Sequence, residues 1–127
     1  MKKKIILSAL AALSIGLAGP ALAHPKLVSS TPAAASTVSA PRQVTLTFNE
    51  RLMPAMTGAE IVMTAMPGMK DHPPMKINGA KTSVTADGKT LEIAFGRPLA
   101  AGSYAVNWHA VSGDTHRVTG SVTFTVR

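Results

Sequence analysis

The chain has no cysteine. That removes disulfides as a source of stability and thiolates as soft metal ligands. Aromatic side chains are scarce, with one Trp, one Tyr and three Phe in 127 residues. So small a supply leaves little to stack on nucleic-acid bases or to build a broad aromatic binding face. Acidic residues are few, six against 13 Lys and Arg, but after residue 4 the basic residues are scattered and form no run. Nucleic-acid binding is not expected. No apolar run reaches the roughly 20 residues needed to span a bilayer. No Ser-His-Asp or Cys-His nucleophilic set, phosphate loop or zinc-protease motif occurs, so hydrolysis has no candidate residues.

What is present begins with an export signature. Lys2, Lys3 and Lys4 precede an apolar run, Ile5 to Ala18, which Gly19-Pro20 breaks before the small-residue segment Ala21-Leu22-Ala23. This is the form of a cleavable secretory signal over residues 1–23. Cleavage after Ala23 would make His24-Pro25-Lys26 the start of a single domain over residues 24–127. The three leading lysines would leave with the signal, so ten basic residues would face six acidic ones and the net charge would fall from +7 to +4.

Along that domain the apolar residues alternate with a period of two. Val44–Phe48, Glu60–Thr64, Thr82–Ala86, Leu91–Phe95, Gly102–His109 and Gly120–Val126 read as strands. Asn78-Gly79, Asp87-Gly88, Gly96-Arg97-Pro98 and Ser112-Gly113-Asp114 read as turns, with Asp87-Gly88-Lys89 closing a tight hairpin. The stretch from Ser29 to Pro41 is rich in Ser and Pro and reads as turns. Short strands at this spacing predict an all-β fold: one immunoglobulin-like Greek-key sandwich of about seven strands. Tyr104 and Trp108, evenly spaced on one strand, should point inward; His109 faces the other way, as a surface group or one supporting a site from behind.

After Met1, every methionine lies between Met53 and Met75: Met53, Met56, Met63, Met66, Met69 and Met75. Methionine ordinarily fills core gaps. Here Pro54, Pro67, Gly68, Pro73 and Pro74 interrupt the segment, and the remaining strands use Val, Leu, Ile and Phe instead. A Pro/Gly-bent loop of thioethers suits Cu(I), a soft ion. Met63, Met66 and Met69 could fold around one ion, with His72 and Met75 completing the set.

A second donor set depends on cleavage. As first residue, His24 would offer its α-amine, with an ordinary pKa of about 8, and its Nδ1 in one six-membered chelate. Pro25 has no backbone N–H, so the next peptide nitrogen cannot ionise and join the metal. Asp114-Thr115-His116 adds a carboxylate and an imidazole, which share a face if that segment is extended. Nitrogen-rich donors of this kind favour Cu(II). Glu50, just past the strand Val44–Phe48, is either a weak outer ligand or an exposed surface carboxylate.

Taken together, these features resemble the CopC/PcoC family of periplasmic copper-resistance proteins. The resemblance rests on the Ala-His24 start, Ser30-Thr31-Pro32, Leu46-x-Phe48-x-Glu50, the methionine segment, and Trp108-x-x-x-Ser112-x-Asp114-Thr115-His116-x-x-x-Gly120. It implies a cupredoxin-like or immunoglobulin-like β-barrel with separate copper sites at its two ends. Carried over, Cu(II) would take His24, Asp114 and His116, with Glu50 as an additional contact. Cu(I) would draw on Met63, Met66, Met69, Met75 and His72. The resemblance also implies a separate, CopD-like inner-membrane copper transporter as partner.

The expected role is that of a monomeric, non-enzymatic copper carrier or buffer in the periplasm, active in copper resistance or homeostasis. Two other readings differ in class. An immunoglobulin-like module could dock a membrane partner through its methionine loop. A histidine-braced copper could also drive oxidative catalysis, for which the chain lacks an aromatic substrate face.

Overall fold

A computed structural model describes residues 24–69 and 72–127. The signal expected over residues 1–23 lies outside the described residues.

Among the described residues there are nine strands: β1 Leu27–Thr31, β2 Thr37–Val38, β3 Gln43–Phe48, β4 Gly58–Ala65, β5 Met75–Lys76, β6 Lys81–Val84, β7 Thr90–Ala94, β8 Gly102–Val111 and β9 Arg117–Val126. One short 3-10 turn, Pro54–Met56, joins β3 to β4, and no α-helix occurs among the described residues. The strands form two sheets, ordered β1-β3-β7-β6 and β2-β9-β8-β4-β5. Connections β3→β4, β5→β6 and β7→β8 all pass between the sheets, as a Greek-key sandwich requires. The all-β sandwich is as expected; closure into a barrel is not, because the two sheets keep separate edges. Two of the nine strands, β2 and β5, have only two residues, too few to show a period in the sequence.

Alternation builds the core. Val44, Leu46 and Phe48 of β3, Leu91 and Ile93 of β7, and Tyr104, Val106 and Trp108 of β8 all point between the sheets. Leu46 pairs with Leu91 and Val44 with Ile93 in one sheet, while Val106 pairs with Val122 in the other. Phe48 meets Trp108 edge-on across the sheets, ring centroids 5.0 Å apart. Tyr104 stacks on Phe124 at 5.6 Å, and its hydroxyl donates to Ala100 O at 2.6 Å, which satisfies the buried oxygen. Each large apolar side chain so buried contributes about 1.5–3 kcal/mol.

Gly120 pairs with Trp108 across β8 and β9. A Cβ at that position would lie 2.3 Å from Trp108 Cζ2, so the indole occupies the space a side chain would need. The hairpin between β6 and β7 is held by Asp87, whose Oδ1 accepts from Thr85 Oγ1 at 2.5 Å and from Lys89 N–H at 2.9 Å. Those bonds hold the Asp87 carboxyl below its ordinary pKa, the Thr85 hydroxyl contributing most.

Strand β1 departs from the sequence reading, which placed turns from Ser29 onward. It pairs antiparallel with β3, but its register shifts between Leu27 and Ser29 and its residues show no in–out alternation. An edge strand with a bulge carries no period-2 signal.

Candidate metal centre

Strand β8 ends at Val111, and the chain reverses through Ser112-Gly113-Asp114-Thr115, closed by Thr115 N–H donating to Ser112 O at 3.0 Å. Thr115 adopts φ 66°, a left-handed conformation that is unusual for a β-branched residue. The sequence allowed Asp114 and His116 to share a face if the segment were extended. The structure brings the two side chains together by this turn instead, and β9 begins only at Arg117.

Asp114 is the fixed point. Its side chain is 3% exposed. Oδ1 accepts the His116 N–H at 3.1 Å and the hydroxyl of buried Ser112 at 3.2 Å, an Asx-type turn. Oδ2 is left facing two imidazoles, with His24 Nδ1 at 2.8 Å and His116 Nδ1 at 3.6 Å. Burial acts to raise the Asp114 carboxyl and is the largest single influence. The His116 N–H, the Ser112 hydroxyl and the neighbouring His24 outweigh it together and hold the group below its ordinary value.

His24 reaches this point from the other end of the chain. Pro25 is fully buried, and Lys26 is clamped to Asn49: its N–H donates to Asn49 Oδ1 at 2.7 Å, and Asn49 N–H donates to Lys26 O at 3.1 Å. The His24 and His116 rings lie 5.2 Å apart at 58°. One donor atom each from His24, Asp114 and His116 falls within 4.8 Å of the others. A carboxylate oxygen facing two imidazoles is an arrangement that can hold a cation. Glu50 lies outside this group. After β3 the chain bends, and it is the neighbouring Asn49 that engages the N-terminal segment.

The methionine segment divides. Met66 and Met69 face one another across an isolated bridge, with Met69 N–H donating to Met66 O at 3.0 Å and Met66 N–H to Met69 O at 3.3 Å. Pro67 and Gly68, at φ 78°, supply the turn between them. Directly opposed residues of such a pair project to the same face. Met66, Met69 and Met75 are 38%, 54% and 53% exposed. Met63 corrects the expectation of a shared loop: it belongs to β4, is 6% exposed and packs in the core. Its position alternates inward with Ile61, so its strand, not the loop, decides where its sulfur goes.

His72 Nδ1 lies 2.7 Å from Pro73 O. A carbonyl can only accept, so Nδ1 is the donor in this contact; Nε2 is buried without a hydrogen-bond partner. His109 stands apart from both sets. It lines a cavity of about 760 Å³ on the outer face of the second sheet, with Asn107, Arg117 and Thr119. Burial, then the Arg117 charge, lowers its pKa.

Residues 27–127 match the family model described as the CopC domain. The chain belongs to the CopC domain family. Copper resistance protein C of Pseudomonas syringae pv. tomato is 54% identical over 107 residues, covering 84% of this chain and 83% of that protein. The protein of the same name from Escherichia coli is 48% identical over 115 residues, covering 91% and 90%. Among solved structures, PcoC, a methionine-rich copper resistance protein from Escherichia coli, superposes with a TM-score of 0.75 at 47% identity, covering 83% of this chain and all of that one. CopC from Methylosinus trichosporium OB3b gives 0.62 at 32% identity, covering 81% and 93%. The CopC match begins at Leu27, so His24 lies before its first residue while Asp114 and His116 lie within it.

The sequence reading used Pro25 for its missing N–H but not for its burial, and passed over the Lys26–Asn49 clamp and the Ser112 anchor. Ser112 stood in the recognised motif, but without a role. Its hydroxyl two residues before an Asp, at the end of a strand, was the available signal.

Proposed function

We propose that this CopC-domain protein binds copper in the bacterial periplasm and acts as a carrier or buffer in copper resistance. The observation that carries the proposal is the convergence of His24, Asp114 and His116 on one point, in a chain whose relatives are named copper resistance proteins.

Cu(II) is assigned to that cluster. In the full chain the His24 nitrogen is an amide joined to Ala23; removal of residues 1–23 turns it into an amine beside Nδ1. Amine and Nδ1 then chelate one ion, His116 supplies a second imidazole, and the Asp114 carboxylate supplies negative charge from a position its backbone contacts hold. Glu50 can approach only from outside this group. Cu(I) is assigned to the exposed thioethers of Met66, Met69 and Met75, with His72 Nε2 as the nitrogen donor. Met63 contributes packing. The partner that receives copper would be a CopD-like inner-membrane transporter, with the present chain acting as a monomer. No residue is nominated for catalysis. Among the described residues no helix is long and apolar enough to cross a membrane.

Intact mass of the exported protein, with and without copper, reads the cleavage point and the metal count together. Copper titrations of His24→Ala and Met66→Ala complete the test. The first should lose Cu(II) binding alone and the second should weaken Cu(I) binding alone. Export with a different first residue, or loss of both oxidation states in either variant, would defeat the assignment.

A further inference from the structure

The tetrapeptide Met-Pro-x-Met occurs twice, as Met53-Pro54-Ala55-Met56 and Met66-Pro67-Gly68-Met69. Both copies close in the same way: Met56 N–H donates to Met53 O at 3.0 Å, and Met69 N–H to Met66 O at 3.0 Å. Closure brings the first and fourth residues of such a turn within about 7 Å. In the first copy Met53 is the extended cap of the 3-10 turn Pro54–Met56, which Met56 ends. Met53 is 37% and Met56 49% exposed, and the short turn between them buries none of its residues. Packing therefore does not account for this pair.

The two copies sit at opposite ends of the sandwich. The Met66–Met69 turn follows the end of β4, where Ala65 pairs with Ser103 at the start of β8. The Met53–Met56 turn is tied to the other end of β8: Met53 N–H donates to Val111 O at 2.8 Å, and Leu52 bridges to Ser112. The ten residues of β8 separate these ends by roughly 30 Å. Met53 is thus attached three residues from Asp114, at the end that carries His24 and His116.

We propose that Met53 and Met56 form a separate soft-metal site, a two-thioether site for Cu(I) or Ag(I), at the imidazole–carboxylate end of the molecule. Two neutral sulfur donors presented on one closed turn suit a monovalent d10 cation and offer nothing to a hard one. Pro54 fixes the backbone between them, so little side-chain-bearing chain has to be ordered on binding. This site stands independently of the copper assignments made above, since it uses none of their residues.

Silver is the probe because it does not change oxidation state. The protein is exported, labelled with methyl-13C methionine and titrated with Ag(I), following the methyl resonances. Those of Met53 and Met56 should shift together and saturate, and should still do so in a Met66→Leu/Met69→Leu variant. Native mass spectrometry should show a Met53→Leu/Met56→Leu variant binding one Ag(I) fewer than the parent. Met53 and Met56 methyls that stay put, that drift without saturating, or that respond only while Met66 and Met69 are intact would each overturn the proposal. The Met66 and Met69 methyls report on the other thioether set in the same titration, so failure of one assignment is read apart from failure of the other.

Discussion

His24 Nδ1 lies 2.8 Å from Asp114 Oδ2, although the two residues are 90 positions apart in the chain. The contact joins the segment before β1 to the turn between β8 and β9. Asp114→Asn keeps the shape of this link and removes its charge. Cu(II) affinity should fall by about tenfold or more, within the range seen when a partner orienting a ligating histidine is lost. Competition against a chelator of known affinity measures the change. An unchanged affinity would remove Asp114 from the centre.

Thr115 tests the turn that carries Asp114 and His116. A β-branched residue at φ 66° is strained, at a cost of about 1–3 kcal/mol. Thr115→Asn suits the same conformation, and should raise stability by about 1 kcal/mol while Cu(II) binding persists. Thr115→Pro imposes a negative φ and should abolish Cu(II) binding. Thermal unfolding and copper titration of both variants check the pair.

Much of this architecture was legible. Val44–Phe48 and Gly102–His109 alternate cleanly because one face of each strand meets the opposite sheet, and that pressure leaves a period in the sequence. Asp114 and His116 were legible as a candidate pair by their types and spacing, and the structure brings both to one point with His24. Other features left no such trace. The bulged edge strand β1 has no single buried face, and β2 and β5 are too short for any period. Met63 did leave a trace, since the strand read at Glu60–Thr64 sets it two residues from Ile61 and so on the same face, but composition grouped it with the loop methionines. Strand register made that distinction.

Met63 and Met66 should accordingly behave in opposite ways. Met63→Ala empties a core position and should cost about 2–5 kcal/mol in urea unfolding. Met66→Leu should leave stability nearly unchanged and weaken Cu(I) binding. Equal effects of the two on Cu(I) affinity, with the fold intact, would return Met63 to the donor set.

Gly120→Ala places a methyl group 2.3 Å from Trp108 Cζ2. The backbone or the indole must move, and stability should drop by about 1–3 kcal/mol or more. Adding Trp108→Phe makes room, so the double variant should lose less than the sum of the single changes. Urea unfolding followed by circular dichroism measures all three; strict additivity would show that the two residues do not compete for space.

Asp87 gives a pH signature. Its carboxyl is held below the ordinary value by Thr85, Lys89 and Thr90. The stability it contributes is therefore fully present above the unfolded-state value of roughly 4 and is lost as pH falls through the lower folded value. Asp87→Asn should be less stable than the parent at neutral pH, and the gap should close as the solution is acidified below about pH 4. A gap constant from pH 7 to pH 2 would rule out this linkage.

The sandwich keeps its two sheets separate, and its outermost strands are β1 and β6 in one and β2 and β5 in the other. Unpaired backbone at such margins can template the addition of a neighbouring molecule, the first step towards aggregates. Here β2 and β5 are two residues long, β1 is bulged at Leu27–Ser29, and β6 opens on exposed Lys81. Each of these blunts strand-to-strand growth. Crowded molecules of this protein have little straight margin along which to polymerise.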